Sequence, residues 1–142
     1  FWKRRKVWLK LDDSEGQIID FTMFAATTGE TFGGGYTVCP GVSPVDNDGM
    51  IMYAPRLSRI AMLSLMGPMK KGKHIGKWGI TMQKANRIEI KPVDSNGEVS
   101  DVPLPLSTWV QADGEPIILS PATLEWHTGQ LLVRGAADVP WA

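Results

Sequence analysis

One short loop, Ser43-Pro44-Val45-Asp46-Asn47-Asp48-Gly49, carries a serine hydroxyl and two carboxylates. Oxygen donors set this close together suit a hard cation such as magnesium or calcium. The same residues are strong turn formers, and an Asx turn between two strands also accounts for them. Just upstream, Gly33-Gly34-Gly35 strips the backbone of side chains, which permits positive φ and close approach by a ligand, a strand or a second domain. A basic run, Lys70, Lys71, Lys73, His74 and Lys77, has Met66, Met69 and Trp78 alongside. It suits an anionic membrane surface, where each basic side chain contributes about 1 kcal/mol and tryptophan settles at the interface. A solvated basic loop would use the same residues. Trp2-Lys3-Arg4-Arg5-Lys6 leaves the same two readings open. Asp113-Gly114-Glu115, taken by itself, is a turn carrying a carboxylate.

Composition narrows the classes. The chain has 142 residues, enough for one buried core, and reads as a single domain spanning 1–142. Fifteen basic residues balance fifteen acidic ones, so net charge calls for neither nucleic acid nor membrane adsorption. The single cysteine excludes an internal disulfide and suits a reducing compartment. Cys39 lies in an apolar run and reads as a buried, inert thiol. With only His74 and His127 beside it, a zinc site of the usual Cys/His type is not expected. No apolar stretch reaches the roughly 18–20 residues that span a bilayer. The opening Phe1-Trp2-Lys3-Arg4-Arg5-Lys6 has no apolar core of signal-peptide length behind it. It lacks an initiator methionine and reads as the start of a piece of a longer protein. The expected location is cytoplasmic, peripheral at the inner face of the membrane.

The elements that must position these residues are mostly short strands, as fifteen glycines and ten prolines imply. Lys6 to Leu11 alternates with Val7, Leu9 and Leu11 on one face, and Ile18 to Thr27 is its hairpin partner across Asp12–Gly16. The second strand is apolar on both faces toward its end, as in a central strand. Met50 to Ala54 is another apolar run. Ser58 caps the one convincing helix, about residues 57–67, with Leu57, Ile60, Ala61, Leu63, Leu65 and Met66 on a broad face and Gly67-Pro68 as its break. Two strands are expected between Ile80 and Ile90, then a turn at Asp94-Ser95-Asn96-Gly97. Thr108 to Ala112 and Ile117 to Leu119 flank the Asp113 turn. A last hairpin joins Thr123–Trp126 to Gln130–Arg134. Trp8, Trp109, Trp126 and Trp141 read as packing residues. The pattern is that of an antiparallel β-sandwich with one inserted helix.

The order Gly33-Gly34-Gly35, Cys39-Pro40-Gly41, then Ser43 to Met50 resembles the C-terminal half of the diacylglycerol kinase family of lipid kinases. Its cousins are the bacterial lipid kinases, the sphingosine kinases and, more distantly, the NAD kinases. Lys71-Gly72-Lys73-His74 and Asp113-Gly114-Glu115 carry the likeness over most of the chain. The resemblance implies a two-sheet sandwich that follows a nucleotide-binding α/β domain. The Gly-Gly-Asp-Gly-Thr motif of that domain is absent from this sequence, and no Walker or Rossmann loop opens a helix here. It further implies transfer of the γ-phosphate of ATP to a lipid hydroxyl at the membrane surface, with magnesium as cofactor. Glu115 would be the general base, with Asp113 in support, and Gly33, Gly34 and Gly35 would lie at the domain junction. The implied magnesium ligands are Ser43, Asp48 and the backbone carbonyl of Met50. Four residues separate Ser43 from Asp48 where the family has two, which makes Asp46 an alternative ligand. The N-terminal domain of the same polypeptide would be the partner, without which this piece is expected to be inactive. Two other readings are an NAD-kinase-like C-terminal domain and a non-catalytic β-sandwich binding module.

Overall fold

The described residues form ten strands, β1 Arg5–Leu11, β2 Gln17–Thr27, β3 Thr31–Phe32, β4 Tyr36–Thr37, β5 Gly49–Pro55, β6 Thr81–Ala85, β7 Arg87–Pro92, β8 Trp109–Ala112, β9 Glu115–Ile118 and β10 Ala122–Glu125. One α-helix among the described residues, α1 Arg59–Lys70, interrupts them. The computed structural model describes residues 5–104, 109–127 and 130. Six strands form one sheet in the order β10-β7-β1-β2-β5-β6, while β3–β4 and β8–β9 are separate ribbons. Every pairing among the described strands is antiparallel. The domain is mainly β with one helix, as expected. The return strand expected at Gln130–Arg134, and Trp2, Lys3, Arg4, Trp141 and the Trp109 side chain, lie outside the described residues.

Strand β5 shows how two cores are built from one sheet. Met50, Met52 and Ala54 join Val38, Cys39, Leu65, Met69 and Ile80 on one face. Ile51 points the other way, to Val7, Leu9, Ile88 and Leu119. Period-2 alternation requires this division. Full burial of Ile51, Met52, Leu65 and Ile88 stabilises the fold by about 1.5–3 kcal/mol apiece. On β2 the parity changes midway. Ile19 and Phe21 face the second core, and beyond them Phe24 and Ala26 do. A register shift between Phe21 and Met23 inserts the extra residue, so a β-bulge re-aims the strand. Phe21 and Phe24 consequently meet edge to face at 6.0 Å.

The helix differs from the expected 57–67. It is capped by Ser58, whose side chain accepts the Ala61 N–H at 3.2 Å, and it runs through Gly67-Pro68 to Lys70. Proline lacks the N–H and crowds the preceding turn. Yet Leu65 and Met69, one turn apart across Pro68, are 1 % and 7 % exposed. Packing of that face outweighs local propensity. Gly72 then stops the helix at φ 65°, donating to the Met69 carbonyl at 3.1 Å.

Candidate functional site

The turn that carries Glu115 is shaped by its neighbours. Asp113 and Gly114 have φ of 47° and 95°, the two-residue I′ hairpin whose twist matches its strands. Ala112 and Glu115 are the pair that closes it. Asp113 therefore sets the turn. Glu115 is exposed, and its carboxylate takes no ion pair among the described residues. The ribbon is held to the sheet by Val110 and Leu119 in the second core, while Ile117 and Ile118 stay about half exposed.

Gly33, Gly34 and Gly35 form the tip of the β3–β4 hairpin with φ of 53°, 80° and 91°. Three successive left-handed residues are accessible only to glycine. The tip is exposed, and side chains added there would meet nothing within 4 Å. The returning segment is held by Glu30, which lies before the tip: its carbonyl accepts the Val38 and Cys39 N–H groups and its carboxylate accepts that of Gly41 at 2.9 Å. Burial pushes the Cys39 thiol up to about 11, which makes it a poor nucleophile.

In the Ser43 loop the donors are already engaged. An Asp46 carboxylate oxygen accepts the Ser43 N–H at 3.0 Å. Asp48 pairs with the Lys84 ammonium at 3.2 Å. Met50 sits in register between Thr27 and Lys84, so its carbonyl points along the sheet toward a neighbouring strand. Gly49 faces the Trp126 ring, which a Cβ would overlap. As placed, Ser43, Asp46, Asp48 and the Met50 carbonyl do not offer magnesium a free set of ligands. No cluster of three or more His, Cys, Asp or Glu able to hold a metal occurs among the described residues.

The basic run divides. Lys70, Lys71, Lys73, Lys77 and Trp78 are exposed. His74 is not, which removes it from the expected membrane-facing set. It is fully buried, and its Nε2 hydrogen-bonds the Val38 carbonyl at 3.0 Å. Its other ring nitrogen has no hydrogen-bond partner among the described residues. Desolvation lowers its pKa below the ordinary value, partly offset by the Val38 hydrogen bond. The histidine therefore pins the segment after α1 to the loop before the SPVDNDG turn. Trp78 holds φ 50° in the turn Lys77–Gly79, a rare conformation for a bulky side chain.

A cleft of about 480 Å³ lies where β2 passes the start of α1. Phe21, Leu57, Met62 and Leu63 make its apolar wall, and Asp20, Arg56 and Arg59 its polar part. The bulged Thr22 supports it by accepting the Leu57 N–H at 2.8 Å. One Asp20 carboxylate oxygen is buried there without a hydrogen-bond partner among the described residues. The sequence reading missed this cleft. A signal for it was present, because no acidic residue occurs between Asp48 and Glu89 whereas eight of the fifteen Lys and Arg do. The cleft and the basic run share the α1 face of the sheet. Glu115 belongs to the ribbon on the opposite face, so the structure does not bring it together with the basic run.

The family described as YegS C-terminal NAD kinase beta sandwich-like domain matches residues 1–134. Two solved structures of a candidate diacylglycerol kinase from Bacillus anthracis strain Sterne share the fold. They align with TM-scores of 0.61 and 0.60 at 19 % and 20 % identity, over 90 % and 89 % of this chain. The chain spans 37 % and 38 % of their length. No curated protein matches the sequence.

Proposed function

We propose, from the premise that this chain belongs to the family of YegS C-terminal, NAD kinase β-sandwich-like domains, that it is the base-bearing domain of an ATP-dependent lipid kinase. Membership makes the protein kinase-like. The lipid acceptor and the residues below are our reading. The observation that supports it best is the Asp113-Gly114 hairpin, which presents Glu115 exposed at the start of β9, with no ion pair among the described residues. In this reading a nucleotide-binding domain of the same polypeptide holds ATP with its Mg²⁺. The metal supplies charge neutralisation on the phosphates. Glu115 takes the proton of the lipid hydroxyl while that oxygen bonds to the γ-phosphorus. The bond from phosphorus to the bridging oxygen breaks, and ADP leaves. The Gly33–Gly35 tip, exposed and free of side chains, suits the domain junction. The protein would work in the cytoplasm, at the inner face of the membrane. No helix among the described residues is long and apolar enough to cross one.

Glu115→Gln in the full-length protein tests the assignment. Loss of a general base lowers turnover by about 10²–10⁴-fold, with the circular dichroism spectrum unchanged. Near-normal turnover by the folded variant refutes Glu115 as the base. Offering NAD in place of lipid in the same assay separates the NAD-kinase-like reading. The apolar outer face of α1, in a segment without a carboxylate from Gly49 to Ile88, favours the lipid.

A further inference from the structure

The outer face of α1 has no partner among the described residues. Ile60, Leu63 and Met66 are 81 %, 75 % and 45 % exposed, although their inward neighbours Leu65 and Met69 are buried. At about 100° per residue, Met66, Arg59, Lys70, Leu63, Gly67, Ile60 and Lys71 follow one another around an arc of about 140°. Arg59 and Lys70, at opposite ends of the helix, therefore lie between Met66 and Leu63, and Lys71 borders the stripe beyond Ile60. Lys73, Lys77 and the exposed Trp78 continue beyond the helix. Gly79 packs against Pro55, which returns the Trp78 turn to the strand end from which Arg56 enters the helix.

We infer that this face seats α1 in an anionic lipid bilayer, with Ile60, Leu63 and Met66 inserted and the surrounding Lys and Arg on the headgroups. Charge selects the occupant. A segment without one carboxylate from Gly49 to Ile88, in a chain of zero net charge, is complementary to a negative surface. An apolar stripe interleaved with long basic side chains, with a tryptophan nearby, is the pattern of a helix lying in the interface, the cations reaching up to the headgroups. The cleft lined by Leu63, Met62, Arg56, Arg59 and one carboxylate, Asp20, opens beside the stripe, where a lipid of the seated bilayer would reach it. The inference extends the lipid-kinase reading by naming the docking face, and it does not depend on Glu115.

The test uses the full-length protein, with any reactive cysteine outside these 142 residues replaced by serine, and vesicles of phosphatidylcholine, with or without phosphatidylglycerol, in the absence of ATP. Because Cys39 is buried and its thiol is hard to ionise, a cysteine introduced as Leu63→Cys takes an environment-sensitive fluorophore selectively. Its emission is expected to shift to the blue with phosphatidylglycerol vesicles, while the same label on Ser14→Cys, in an exposed turn, does not shift. Replacing Lys70 and Lys71 with Gln is expected to weaken partitioning about thirty-fold, at about 1 kcal/mol for each charge. Leu63→Ser weakens it at least about ten-fold. Both substitutions are at exposed positions, and unchanged melting curves show the variants folded. Equal shifts at positions 14 and 63, no shift at 63, or a shift at 63 that grows with protein concentration without vesicles each overturn the inference, the last in favour of a second copy of the chain. Phosphorylation of a water-soluble short-chain lipid by full-length protein that fails to bind vesicles would sink the docking face and keep the kinase.

Discussion

Gly49 is the glycine of the Asp48-Gly49 pair, and the structure gives it a packing task. A methyl group there would overlap the Trp126 ring. Gly49 is not among the glycines with positive φ, so alanine meets no backbone strain. At such a position Gly→Ala by itself stabilises by about 0.4–1 kcal/mol, through the unfolded chain. Forcing a methyl into a filled space costs about 1–3 kcal/mol. Gly49→Ala is therefore expected to destabilise the protein by about 1–2 kcal/mol, close to the difference of those terms. With Trp126→Ala the ring is gone and Gly49→Ala should become neutral or stabilising. Urea unfolding of the wild type, the two single variants and the double variant closes a double-mutant cycle with a coupling of about 1–3 kcal/mol. Additivity within about 0.5 kcal/mol refutes the reasoning. It would mean that Gly49 is required for some reason other than Trp126, a metal-binding loop among them.

The His74 pKa is lowered in the folded protein, so the unfolded chain binds the proton more readily. Stability from this group is full above the ordinary histidine pKa of about 6.5 and falls as pH drops below it, by at most about 1.4 kcal/mol per pH unit. Melting curves between neutral and mildly acid pH should show this fall reduced in His74→Gln, and an identical pH dependence would remove His74 as its source. Magnesium titrated calorimetrically into the chain is expected to give no saturable heat, because Asp48 is engaged by Lys84 and Asp46 by the Ser43 N–H. Saturable heat that Asp48→Ala abolishes would show that the ion displaces Lys84.

Much of this protein was legible in its sequence because the relevant physics is local. Asp113-Gly114 can form its hairpin with no help from beyond its strands, and three glycines admit three left-handed residues wherever they fall. The apolar run Met50 to Ala54 marked a buried strand, and the motif order of the first half identified the family. Tertiary structure decided whatever depended on distant partners. His74 looked like part of a basic surface run, but the Val38 carbonyl that holds it inside lies 36 residues away. Asp48 looked like a free ligand, and the Lys84 that occupies it is equally distant. Pro68 read as a helix break until Leu65 and Met69 found a common core. The bulge at Thr22 reversed the faces of β2 without any glycine or proline to announce it. A side chain's type and its neighbours fix what it can do. Whether it is free to do so depends on which distant group folding sets against it, because desolvation and charge pairing act through space.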